Sequence, residues 1–378
     1  MMDFSFTEDQ RAIRRSVVKF AEESLNADLA ERDRSGIFRR DLWSLCGKSG
    51  LTGLPVPDAY GGRGLDTVGV FNALEGLGYG CRDNGLVFSI HAHLWGCVTP
   101  VLLFGSEAQK SRHLPGLCDG RTVGAIAMAE PGAGSDAFSL TTRAESKGGD
   151  YVLNGSKTLI TNAPEADLYV VFARLEPGGV SAFLVEKNNP GLAPGKRLEK
   201  MGLRSSPLGE LVLRDCRVPG ENLLGKGGDG PVIFTTAMEY ERCGIPASHV
   251  GTMERILERC VAFAKKRKQF GRAIGEFQAV SHRIADMKIR LESARGLVYR
   301  AAWLKSRGKQ AVMEASITKA HVSECYVQTC LDAIQIHGGR GYLEENELER
   351  ELRDAIPSRI YSGTVEIQKA IISKWLGL

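Results

Sequence analysis

Residues 127–136 read AMAEPGAGSD, a Gly/Ala/Ser turn behind an apolar strand. Such a turn crowds several backbone N–H groups into a small space, which suits an anion or the polarised edge of a cofactor. Gly132 and Gly134 permit the positive φ angles that a tight nest requires. Glu130 and Asp136 argue against a free phosphate as the partner. Turn chemistry by itself fits an ordinary loop between strands equally well. Three further patches follow in order: GSKTLITNA at 155–163, RKQFGRAIGEFQ at 267–278, and QIHGGRGYLEE at 335–345 with IYSGTVEIQ at 360–368.

The elements that must position these patches change character twice. From Phe6 to about Gly120, apolar residues recur with helical spacing, as at Ile13, Val17, Phe20 and Ala21, and the Pro/Gly-rich segment Leu54 to Gly64 marks a loop. Short runs bounded by Gly, Asn and Asp then predict strands of a mostly antiparallel sheet at Val123–Met128, Tyr151–Asn154, Leu168–Ala173, Ala182–Val185 and Glu210–Leu213. Helical spacing returns from about Pro231, in long segments such as Phe277–Ser306 and Met313–His337. Strands segregated from helices make this an α+β, mostly α, chain and disfavour a doubly wound nucleotide fold. Three domains are expected, at 1–120, 121–228 and 229–378.

At 378 residues, 43% of them hydrophobic, the chain has material for a large buried core. A formal net charge of +4 gives no bulk electrostatic case for nucleic acid or a membrane surface. Nine single cysteines without a CxxC pair read as reduced thiols of a cytoplasmic protein, and no metal site is expected. Met1 to Gln10 reads as a helix start and lacks the apolar run of a secretory signal. No run approaches ~20 uninterrupted apolar residues, so no membrane span is expected.

Taken together, the four patches resemble the acyl-CoA dehydrogenase family of flavoenzymes over essentially the whole chain. The resemblance implies an N-terminal helical domain, a middle β-barrel-like domain and a C-terminal four-helix bundle, with FAD between the last two. It places Met128, Ala129, Gly134 and Ser135 at the pyrimidine side of the flavin, and Leu159 and Thr161 against the ring. Ala129 and Leu159 depart from the family's usual Thr/Ser and Trp, which bears on redox tuning and on the electron acceptor. Arg267, Phe270 and Gln278 match positions that reach the diphosphate and adenosine from a neighbouring subunit, as do Gln335, Gly338 and Gly339. Thr364 and Glu366 complete the cofactor set. On charge alone, Lys265–Lys268 is a solvated helix face; contacts across subunits imply an oligomer, by resemblance a homotetramer.

Dehydrogenation of a thioester needs a carboxylate to take the α proton, and hydrogen-bond donors for the carbonyl oxygen. Many family members carry that base as a Glu directly before the last Gly-Thr; here Ser362 holds the position, and a serine hydroxyl is no unassisted base at neutral pH. A minority places it in a Glu-Arg pair on the first C-terminal helix, which Glu241-Arg242 matches. The alternative reading of Glu241 is a surface acid in the cluster Glu239, Glu241 and Arg242, near a helix start. Ser362, Ser135 and Arg242 are the expected substrate and oxyanion contacts.

Within the family the texture is closest to L-prolyl carrier-protein dehydrogenases, through CRDNGLVFSIHAH at 81–93, ITNAPEADLYV at 160–170 and QAVSHRIADMKIRLESAR at 278–295. The expected substrate is a small acyl or aminoacyl thioester on an acyl or peptidyl carrier protein, with a CoA thioester of isovaleryl type as the competitor. An electron-transferring flavoprotein or oxygen would accept the electrons. An oxygen-using flavoprotein without α-proton abstraction and a non-catalytic flavin-binding relative are the other classes open. His91, His93 and Trp95 either border the acyl pocket or are satisfied core residues.

Overall fold

The computed structural model describes residues 6–378. Its first helix, α1 (Glu8–Ser24), starts at a capping box: the Thr7 hydroxyl accepts from the Gln10 N–H, and the Gln10 side chain accepts from the Thr7 N–H. Of the start expected over Met1–Gln10, Met1–Ser5 lie outside the described residues. Short helices α2 (Leu29–Ser35) and α3 (Arg40–Lys48) lead to α4 (Thr67–Gly80), α5 (Asn84–His93), α6 (Thr99–Phe104) and α7 (Glu107–Cys118). A π turn, Leu94–Val98, joins α5 to α6.

One run, Asn84–Phe104, is long and apolar enough to cross a membrane, although polar residues interrupt it. Its 21 residues meet that measure by length and composition, but 83% of the window is buried in the molecule. Ser89, His91, His93 and Thr99 hid it from a count of uninterrupted apolar residues. It is a core helix.

The middle segment holds β1 (Gly124–Ala127), β2 (Arg143–Lys147), β3 (Asp150–Thr161), β4 (Leu168–Leu175), β5 (Gly179–Glu186), β6 (Leu192–Arg197), β7 (Leu208–Val218) and β8 (Leu223–Leu224). The strand order is β6-β7-β3-β2-β4-β5-β8, with β1 also beside β4. Most pairs are antiparallel; β1–β4 and β2–β4 are parallel. Sequence reading passes over β2 and β6 because their exposed residues, such as Glu145 and Lys196, leave no alternating apolar face.

The last segment is α8 (Gly230–Lys266), a hairpin of β9 (Lys268–Gln269) and β10 (Arg272–Ala273), then α9 (Gln278–Ser306), α10 (Val312–His337), α11 (Leu348–Ala355) and α12 (Val365–Trp375). Helix α10 packs on α8, α9 and α12, and α4 crosses to α8. One hydrophobic core cluster runs from Leu74 of α4 through Val171 of β4 to Val250 of α8, so all three segments share a buried interior. That shared core holds the middle sheet rigidly against the helices, as a site built from both requires.

Candidate functional site

The turn after β1 is held from within. Glu130 and Ala133 exchange backbone hydrogen bonds at 3.1 and 3.0 Å. The Glu130 carboxylate is buried and points inward: Lys157 donates to it at 2.8 Å, the Thr141 N–H at 2.6 Å and the Thr142 N–H at 3.0 Å. Burial opposes its ionisation, yet these donors hold its pKa down to about 2. Glu130 therefore builds the turn and does not face a partner, so its charge is no argument against a phosphate there. Gly132 and Gly134 do not take positive φ, so the expected nest conformation is also corrected. Nothing lies within 4 Å of a Cβ placed at either, so what these glycines supply is open approach to the backbone.

Lys157 and the turn pull β3 alongside it. Lys157 donates to the Met128 carbonyl at 3.0 Å, and the Thr158 N–H donates to the Ala129 carbonyl at 3.0 Å. The β3–β7 register slips between Lys157 and Ile160, and inside the slip Leu159 takes φ 56°, rare for a branched apolar residue. The bulge turns Leu159 outward, 61% exposed, with half-buried Thr161 two residues on. Met128, Ala129, Leu159 and Thr161 thus come together, with Gly134 and Ser135 on the exposed side of the same turn.

A second group lies at one end of the helical bundle. Phe263 of α8 stacks on His337 of α10, ring centroids 4.1 Å apart, which brings Arg267, just past α8, to the same end as Gln335, Gly338 and Gly339. Phe270 sits in the β9–β10 turn with φ 49° and is 95% exposed, and Gln278 opens α9. Among the described residues no hydrogen bond joins this group to the turn at 127–136. The Ser135, Thr161, Arg267, Gln278 and Gln335 side chains have no hydrogen-bond partner among the described residues. Uncommitted amide, hydroxyl and guanidinium groups, open glycines and an outward Leu159 suit a flavin dinucleotide, whose pyrophosphate matches a guanidinium and whose ring takes amide-like hydrogen bonds.

The corner between α8 and the segment before α12 collects the remaining residues. Glu241 lies on α8, 8% exposed, in place of the surface position its charged neighbours suggested. The Ser362 hydroxyl donates to Glu241 Oε1. Arg242 Nε donates to the Ser362 carbonyl at 3.0 Å. Burial raises the Glu241 pKa, while Ser362, Arg242 and Lys319 act against the rise. Glu239 turns elsewhere, to Lys305 at 3.0 Å and the Ala311 N–H at 2.6 Å. The half-buried Thr364 hydroxyl caps α12 through the Ile367 N–H at 3.4 Å, and exposed Glu366 sits in its first turn.

His91, His93 and Trp95 are buried, and each is hydrogen-bonded. Trp95 Nε1 donates to His91 Nδ1 at 3.0 Å, and His91 Nε2 meets the Ser248 hydroxyl at 2.9 Å. His93 Nδ1 accepts from the Gly124 N–H at 2.9 Å. Burial lowers the two imidazole pKa values to about 3 and about 4, so both rings are neutral. His93 is a core residue, whereas Trp95 also borders a cavity with Thr99, Leu102, Tyr240 and Lys305. His91 also borders a small internal cavity with Phe88, Ile245, His249, Tyr326 and Tyr361.

Sequence reading passed over Lys319 and Gln368. Lys319 is buried on α10 and donates to the Gly363 carbonyl at 2.7 Å; Gln368 Nε2 reaches the Ser362 and Gly363 carbonyls at 3.1 and 2.9 Å. A lone Lys amid the small and apolar residues Ala315, Thr318 and Val322 was the available signal.

This fold and site define a class. Residues 7–121 match the acyl-CoA dehydrogenase N-terminal domain, 125–216 the middle domain and 228–377 the C-terminal domain. The chain belongs to the acyl-CoA dehydrogenase family: an oxidoreductase acting on CH–CH bonds with FAD as cofactor. It is similar to the L-prolyl-[peptidyl-carrier protein] dehydrogenase of Serratia sp. (strain ATCC 39006), 42% identical over 381 residues, 100% of this chain and 99% of that one. Among solved structures it resembles the prolyl acyl carrier protein oxidase AnaB, with TM-score 0.97, 47% identity and coverage of 99% and 100%. A structure described as PigA with FAD and proline matches with TM-score 0.97, 41% identity and full coverage of both chains, 100% each.

Proposed function

We propose that the chain dehydrogenates a small aminoacyl thioester of L-prolyl type, held on a carrier protein, across its α and β carbons, with Glu241 as the base. The observation that carries this reading is the buried carboxylate of Glu241 facing Ser362, the one position from which many relatives supply the base. Hydride acceptance at the β carbon is what bound FAD supplies. Glu241 takes the α proton, and its burial away from water keeps it basic enough to do so. The Ser362 N–H donates to the thioester oxygen as negative charge develops there. Met128, Ala129, Gly134, Ser135, Leu159 and Thr161 hold the flavin edge. Arg267, Phe270, Gln278, Gln335, Gly338 and Gly339 hold the diphosphate and adenosine, with Thr364 and Glu366 nearby.

The nearly complete exposure of Phe270 supports a further part of the reading, that these contacts form across subunits of a homotetramer. An electron-transferring flavoprotein or oxygen reoxidises the cofactor. The division at residues 120 and 228, and a cytoplasmic location in keeping with nine buried free thiols, belong to the same reading.

The test is mass spectrometry of a panel of aminoacyl and acyl carrier proteins, with matching CoA thioesters, after incubation with the flavoprotein. Loss of about two hydrogens from the L-prolyl carrier substrate is expected, by the stoichiometry of one dehydrogenation. Loss from isovaleryl-CoA alone overturns the substrate assignment. Glu241→Gln is expected to abolish anaerobic flavin bleaching by that substrate, and undiminished bleaching removes Glu241 from the role.

A further inference from the structure

We propose that Ser362 is a positioning residue for Glu241: its hydroxyl occupies Oε1, fixes the orientation of the buried carboxylate and leaves Oε2 to receive the substrate's α proton. This rests on the reading of Glu241 as the base. The Ser362 side chain donates to Oε1, and no group among the described residues donates to Oε2.

The backbone around Ser362 is built for this contact. Ser362 takes φ 57° and Gly363 φ 88°, a left-handed pair that costs energy for the serine. Four hydrogen bonds from three side chains hold it there. Arg242 and Gln368 donate to the Ser362 carbonyl at 3.0 and 3.1 Å, and Lys319 and Gln368 to the Gly363 carbonyl at 2.7 and 2.9 Å. With both carbonyls pinned from α8, α10 and α12, the Ser362 side chain is directed back at α8. Glu241 is thus held by a donor whose own direction is fixed by three helices, which is how a reacting group is kept in a productive geometry.

The charged and titratable groups around Glu241 are Arg242 on its own helix, Lys319 on α10, and Tyr361 beside Ser362, whose hydroxyl meets His249 at 2.9 Å. Glu366 on α12 faces Lys319. The two cations favour the carboxylate, and burial opposes it. Removing the hydroxyl takes away a hydrogen bond made to the charged form, so the proton affinity of Glu241 must rise.

Ser362→Gly tests this, because glycine keeps the left-handed backbone without strain and removes the hydroxymethyl group that carries the donor. In the FAD-loaded enzyme with an L-prolyl carrier-protein thioester, the acid limb of kcat/KM should move to higher pH by about one unit, the scale of one charge-assisted hydrogen bond. Infrared difference titration of the carboxyl band that disappears in Glu241→Gln should show the same displacement without turnover. Limbs and bands that superimpose on the native enzyme, or an equal loss at every pH, overturn the proposal. Glu241→Gln separates the two failures. Persistent bleaching in that variant removes the base assignment, whereas its loss together with an unmoved Ser362→Gly profile removes only the positioning role.

Discussion

Arg242 holds Ser362 by the main chain: its Nε donates to the Ser362 carbonyl at 3.0 Å, while its neighbour Glu241 receives the Ser362 hydroxyl. Two consecutive residues of one helix therefore grip both ends of a single residue on another segment. The Glu-Arg pair reads as a unit for that reason. The glutamate carries the chemistry and the arginine sets the backbone it faces.

Replacing Arg242 with Lys keeps a charge but loses the rigid planar fork. A point charge on a flexible stem cannot hold the Ser362 carbonyl at the same angle. The expected outcome is a fall of about tenfold in kcat/KM for flavin reduction, or ~1.4 kcal/mol of transition-state stabilisation. Stopped-flow measurement of flavin bleaching checks it.

Glu241 has a stability cost that its chemistry implies. Its folded pKa is raised by burial, so between the unfolded and folded values the native state binds more protons than the unfolded chain. Stability from this group is therefore present below the unfolded pKa and lost as pH rises through the folded one. Glu241→Gln removes the buried charge, and its Tm at neutral pH should rise by on the order of 2 °C as bleaching disappears. Calorimetry at pH 5 and pH 8 should show the gain growing with pH.

Lys157 and Glu130 form a buried ion pair, 2.8 Å apart, under the turn at 127–136. Lys157→Met leaves Glu130 unpaired in the interior, and a loss of about 3–5 kcal/mol is expected. Glu130→Gln added to it should restore much of that loss, since neither charge then remains. For Glu130 itself, whose folded pKa lies at about 2, the contribution is present above the ordinary carboxylate value and lost as pH falls toward about 2. Urea titrations of both variants, with FAD retention as a second readout, check the pair.

Leu159 projects from the β3 bulge, 61% exposed in the single chain. A tryptophan there adds an aromatic face beside the proposed flavin without disturbing any buried neighbour. Leu159→Trp should leave the apo Tm within about 1 °C, as for a surface substitution, and should quench flavin fluorescence in the loaded enzyme. Unchanged fluorescence at full FAD loading would place Leu159 away from the ring.

The sequence by itself determined the order of helices, sheet and helices, because 3.6-residue and 2-residue spacings are local consequences of burying one face. Its motifs also carried the family, since the turn at 127–136 and the patches at 155–163, 267–278, 335–345 and 360–368 stand at fixed places along the chain. Strands β2 and β6 escaped because their pairing compensates for side chains that show no apolar alternation. The use of Glu130 as an argument against a phosphate failed for a related reason: a carboxylate in a turn counts toward its ligand until Lys157, 27 positions away, is brought beneath it. The burial of Glu241, the left-handed turn at Ser362 and the clamp from Lys319 and Gln368 were decided only by tertiary structure. Each depends on groups from α8, α10 and α12 meeting at one corner, and desolvation, which sets the proton affinity of Glu241, is a property of that packing and of no single residue.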